Sequence, residues 1–119
     1  AWFAVGASYD DANEKNDAGS VFVYQQPNPP QFPSDQWEMV QKLDDLFPSA
    51  SAQFGVGLAA IGPDPQRLAV TTLNGNALDS SNNIVPDAGT VTIFKRDETK
   101  AVGSQWVVEE LLTNPVVEE

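Results

Sequence analysis

Apolar residues along this chain fall into short runs rich in Val, Phe, Ile and Trp, and the runs are bounded by Gly, Pro, Asn and Asp. Helical spacing is scarce, and the pattern is that of strands separated by turns. Seven strands are predicted, over residues 2–7, 20–25, 37–43, 55–60, 67–72, 90–95 and 105–112. Most of the nine prolines and eight glycines lie between them. Residues 27–33 contain four prolines, a density that favours an extended polyproline-like loop. One segment reads two ways: Val40, Leu43 and Phe47 share a helical face, whereas Trp37, Met39, Gln41 and Leu43 alternate as in a strand.

An internal repeat decides between them. Asp17-Ala18-Gly19-Ser20-Val21-Phe22-Val23-Tyr24 recurs 70 positions later as Asp87-Ala88-Gly89-Thr90-Val91-Thr92-Ile93-Phe94. Upstream, Phe3-Ala4-Val5 recurs 65 positions later as Leu68-Ala69-Val70. Downstream, the alternating set Trp37, Met39, Gln41, Leu43 recurs 69 positions later as Trp106, Val108, Glu110, Leu112. Three matched segments in one order, with length changes confined to loops, mark two copies of one unit. Residues 37–43 are therefore assigned to a strand. Gly19 and Gly89, each entering a strand from a tight turn, are expected at positive φ. The matched positions of Trp37 and Trp106 predict shared packing for the two rings; the rival use, with Trp2, is a sugar-stacking platform.

The residues of the second copy resemble the FG-GAP repeat family, the repeats that build the integrin α-chain type of β-propeller. Phe54-Gly55-Val56-Gly57-Leu58-Ala59-Ala60-Ile61-Gly62 resembles the family's Phe-Gly opening strand. Arg67-Leu68-Ala69-Val70 and Ala4-Val5-Gly6-Ala7 resemble its second strand, and the segments following Gly19 and Gly89 its third. The strands of Trp37 and Trp106 resemble its last. The resemblance implies an all-β chain of about seven short antiparallel strands, forming roughly two propeller-type blades as an incomplete propeller or a blade-pair sandwich. Residues 1–53 would be a first unit lacking its opening strand, 54–112 a complete second unit, and 113–119 an acidic tail or exchanged strand, all within one domain. The family often carries a calcium loop after the Phe-Gly strand. Here that loop is Gly62-Pro63-Asp64-Pro65-Gln66, with one carboxylate, and calcium takes six to eight oxygens. The family's calcium function is therefore not carried over to it.

Composition narrows the chemistry. The 119 residues include 17 acidic and 6 basic side chains, a net charge of −11, with neither cysteine nor histidine. Disulfides, zinc–thiolate sites, cysteine nucleophiles and imidazole bases are thereby excluded within these residues. The charge opposes nucleic acid and anionic membrane as partners, and the apolar runs are too short to span a bilayer. An apolar fraction of 41% with eleven aromatics is too much for an acidic disordered segment. Residue 1 is alanine, as expected of a trimmed or processed chain.

Few residues suggest a site. Asp10, Asp11, Asn13 and Asp17 offer four oxygen ligands in one loop, a candidate calcium site, set against a solvated turn in which Asp and Asn cap backbone groups. No other cofactor is expected. Asp44-Asp45 and Glu109-Glu110 are neighbouring carboxylates, but adjacent strand residues point to opposite faces, which speaks against a glycosidase pair. A chain with fewer than two complete blades leaves sheet edges open to another strand. The leading expectation is a non-enzymatic, extracellular or cell-surface structural or adhesive protein that forms homo-oligomers or filaments by strand addition. The alternative is a ligand-binding fragment of a larger integrin-like propeller, recognising protein or glycan through residues 8–18 and 72–88.

Overall fold

The computed structural model describes residues 2–11, 15–26, 36–46, 49–62, 66–78, 80–85 and 89–113. Asn13, the proline-rich segment, residues 63–65, Asp87-Ala88 and the tail from 114 onward lie outside the described residues. The fold is all-β, with no helix among the described residues. A three-stranded antiparallel sheet takes β1 (Trp2–Ala7), β2 (Ser20–Gln25) and β3 (Glu38–Leu43) in the order β1-β2-β3. A four-stranded antiparallel sheet takes β4 (Phe54–Ile61), β5 (Arg67–Thr72), β8 (Thr90–Arg96) and β9 (Trp106–Thr113) in the order β4-β5-β8-β9. Between β5 and β8, β6 (Ala77–Leu78) and β7 (Ile84–Val85) pair as a small hairpin. These two-residue strands are too short to leave an alternation that can be read from the sequence.

The pairing registers of the two sheets coincide under the repeat shifts. Phe3 faces Tyr24 as Leu68 faces Phe94, and Val5 faces Phe22 as Val70 faces Thr92. Val21 faces Leu43 as Val91 faces Leu112, and Tyr24 faces Met39 as Phe94 faces Val108. Even the irregularity recurs, because the register shifts between Val23 and Tyr24 in one sheet and between Ile93 and Phe94 in the other. A bulge adds twist at a fixed point of a strand pair, so the two sheets share local shape as well as pairing. Gly19 and Gly89 both have positive φ, at 90° and 74°.

The sheets pack face to face, and they bury opposite faces of the repeated unit. The three-stranded sheet turns Val21, Val23 and Leu43 inward, with Trp2, Ala4 and Val40 partly buried beside them. The four-stranded sheet contributes Phe54, Leu68, Val70, Phe94 and Trp106 to the same core. Val21 and Val23 correspond to Val91 and Ile93, which are only half-buried on the far side of the four-stranded sheet. Conversely, buried Leu68, Val70 and Trp106 correspond to Phe3, Val5 and Trp37, which are exposed. Side chains alternate across a strand, and matched residues pair with matched partners, so each unit has the same two faces and the two sheets meet front to back.

This corrects one expectation. Trp37 and Trp106 do not share an environment: Trp106 is 4% exposed and lies 4.7 Å from the Trp2 ring, while Trp37 is 41% exposed. Both rings sit on the same face of their own unit, but that face is covered only in the second. A side-chain bridge reinforces the front-to-back contact. Gln41 Nε2 donates to the Trp106 carbonyl at 2.9 Å, and the Trp106 N–H donates to Gln41 Oε1 at 3.0 Å.

Candidate functional site

The most distinctive surface is the outer face of the three-stranded sheet. Phe3 on β1 stacks on Tyr24 of β2 with ring centroids 4.9 Å apart, and Trp37 tilts against Phe3 at 5.0 Å. Val5 and Met39 extend this face, at 44% and 52% exposure. Lys42 stands 5.9 Å from the centre of the Phe22 ring at one end. A contiguous exposed aromatic and aliphatic face of this kind marks a surface for contact. The sequence points to Trp37 as a candidate surface residue but not to Phe3 or Tyr24. The repeat held the signal, because front-to-back packing must leave one face of the first unit uncovered.

The acidic loop is organised as a turn. The Ser20 hydroxyl donates to Asp10 Oδ2 at 2.7 Å and lies 3.2 Å from Asp44 Oδ1, while Lys42 Nζ lies 3.6 Å from Asp10 Oδ2. Asp11 Oδ1 accepts the Asp17 N–H at 2.9 Å, and Asp17 itself adopts positive φ. Asn13 lies outside the described residues. Among the described residues, no group of three or more acidic, His or Cys side chains could hold a metal ion. Asp10 accepts from Ser20 and ties the loop to β2, and Asp11 accepts from Asp17 within the loop.

The Ser20 hydroxyl, and then Lys42, hold the Asp10 carboxyl below its ordinary value. A lowered carboxyl contributes stability above the ordinary carboxylate range and loses it as pH falls through the lowered pKa. Ser20→Ala is therefore expected to move the Asp10 titration upward, toward that of a free aspartate. Carbon-detected NMR of the carboxyl checks this; an unmoved titration would show that the hydroxyl contributes nothing.

Glu109 is held by Arg67 through two bonds, Nε to Oε1 at 2.7 Å and Nη2 to Oε2 at 3.1 Å, and Arg67 keeps its carboxyl low. Asp44 and Asp45 follow β3 rather than lying within it. A cleft of about 390 Å³ opens between the sheets, lined chiefly by Trp2, Ala4, Leu58, Ala60, Leu68 and Gln66, and among the described residues its lining carries no acid, base or nucleophile. No family model matches the chain, and neither do the curated proteins nor the solved structures compared with it.

Proposed function

We propose that this chain is a non-enzymatic structural or adhesive β-repeat subunit, working outside the cell or at its surface, that associates with copies of itself through sheet margins and forms filaments. The likeness of its units to FG-GAP repeats belongs to the same reading. The observation that carries it is the unequal build of two units with one register. In the four-stranded sheet β5 is paired on both sides, by β4 and β8, whereas its counterpart β1 is paired by β2 alone among the described residues. An open strand margin presents unpaired N–H and C=O groups to another strand. The lack of cysteine and histidine further favours a role without nucleophilic chemistry.

The test is sedimentation velocity of the 119-residue chain across micromolar to submillimolar concentration. Mass should grow with concentration, and more steeply in salt. A charge of −11 per subunit opposes close approach, and the screening length falls from about 30 Å at 0.01 M to about 3 Å at 1 M. A monomer at every concentration and ionic strength would overturn the reading. The aromatic face favours a second reading, a protein- or glycan-binding module, which predicts such a monomer together with ligand-dependent quenching of Trp37.

A further inference from the structure

We propose that copies of the chain associate by stacking the outer face of the four-stranded sheet of one copy onto the outer aromatic face of the three-stranded sheet of the next. This keeps the self-association of the reading above and rests on it, but puts a sheet face in place of the strand margin as the contact.

The chain makes this contact once already. Inside it, the face bearing Ala4, Val21, Val23 and Leu43 packs against the face bearing Leu68, Val70, Phe94 and Trp106. Under the repeat shifts the first of these corresponds to Ala69, Val91, Ile93 and Leu112, the outer face of the four-stranded sheet. The second corresponds to Phe3, Val5, Tyr24 and Trp37, the outer face of the three-stranded sheet. Each molecule thus carries, facing outward, a near copy of either half of its own core, except that Phe54 and β4 have no counterpart in the three-stranded sheet. The match is chemical: Val-Val-Ala-Leu becomes Val-Ile-Ala-Leu, and Leu-Val-Phe-Trp becomes Phe-Val-Tyr-Trp. Two such halves on opposite sides form a head-to-tail contact, which closes into a ring when the rotation divides the circle and otherwise propagates.

Two substitutions between the units show how the outer contact differs from the inner one. Trp2, which covers the Trp106 ring, corresponds to Arg67. In the stacked pair Arg67 would meet the Trp37 ring, an arginine over an indole, which is a favourable cation–π arrangement. Gln41, which bridges to the backbone of Trp106 by donating one hydrogen bond and accepting another, corresponds to Glu110. A carboxylate can accept the Trp37 N–H but cannot donate to its carbonyl. Half of the bridge is therefore missing from the outer contact, which keeps it weaker than the inner one.

The experiment uses two variants that each spoil one face. Phe3→Lys damages the aromatic face and Ile93→Lys the opposite one; both lower the net negative charge, so added repulsion would not account for a loss of assembly. Each alone should be monomeric by sedimentation velocity, with thermal unfolding close to the parent's. Mixed in equal amounts, they should give a one-to-one heterodimer and nothing larger, because one intact face of each kind remains. A third variant, Glu110→Gln, restores the amide and should tighten parental association about fivefold, the worth of one added hydrogen bond. If either lysine variant fails to fold, the Glu110→Gln shift decides alone, and an unchanged or weaker association overturns the stacking. If the parent assembles and both lysine variants assemble equally well, stacking is overturned and association through strand margins stands. A monomeric parent overturns both and leaves the aromatic face to a partner of another kind.

Discussion

Gly19→Ala is expected to destabilise the protein by about 4 kcal/mol or more, a large part of the 5–15 kcal/mol typical of a domain. The Gly19 backbone has φ 90°, and a methyl group there would overlap the nitrogen and carbonyl oxygen of Phe54. Neither neighbour can yield cheaply. The Phe54 N–H donates to the Ala18 carbonyl at 2.8 Å, the Gln53 N–H to Asp17 at 3.0 Å, and the Gly19 N–H to Asp10 at 2.9 Å. The first two bonds lock the turn of the first unit onto the start of β4 and the third holds the turn itself, so the clash is with backbone on both sides. The matched residue supplies the control. Gly89 has φ 74°, but the nearest atom to an added methyl is the Leu73 carbonyl oxygen at 3.4 Å, ordinary contact. Gly89→Ala should therefore cost only the left-handed strain, about 1–2 kcal/mol. Urea unfolding of both variants gives the comparison, read as a shift in midpoint at constant slope. Equal losses would show that conformation, not the junction with β4, accounts for the effect.

That contrast shows what the sequence could and could not disclose. The turn glycines, the strands and the equivalence of the units were all legible, because turn residues and alternation are local signals. Predicted residues 2–7, 20–25 and 67–72 match β1, β2 and β5 in full. Elsewhere the ends move slightly. Trp37 falls outside β3, and β4 runs from Phe54 to Ile61 rather than over 55–60. Such ends depend on hydrogen bonds to a neighbouring strand, which no single segment encodes. The hidden quantity was which face each sheet turns inward. Ser20-Val21-Phe22-Val23-Tyr24 is apolar on both faces from Val21 onward, so alternation cannot choose a side. The choice is made by packing against the other unit, and two like sheets stacked front to back must bury opposite faces. This is why equivalent tryptophans end in different surroundings. Of the acidic loop, the sequence conveyed the oxygens but not their partners. Asp10 is engaged through Ser20 and Lys42, residues ten and thirty-two positions away that strand pairing brings to it.

Phe54→Ala is expected to cost about 3–5 kcal/mol, the range for truncating a fully buried phenylalanine. Phe54 is fully buried, lies edge-on to Phe94 with centroids 6.2 Å apart, and belongs to the core that both sheets share. Its removal takes apolar contact from both sheets at once, and the pinned backbone around it hinders the collapse that would fill the space. Val56, two positions along the same strand and 49% exposed, is the control: Val56→Ala should change stability by no more than about 0.5 kcal/mol. The two sheets should also fail together. The Trp2–Trp106 ring pair spans them, so near-ultraviolet circular dichroism reports their contact while far-ultraviolet dichroism reports strands in both. One coincident transition in the parent, moved to lower urea as a whole in Phe54→Ala, is the expected outcome for a shared core. Loss of the near-ultraviolet signal ahead of the far-ultraviolet one would mean that each sheet stands independently and that Phe54 serves only its own.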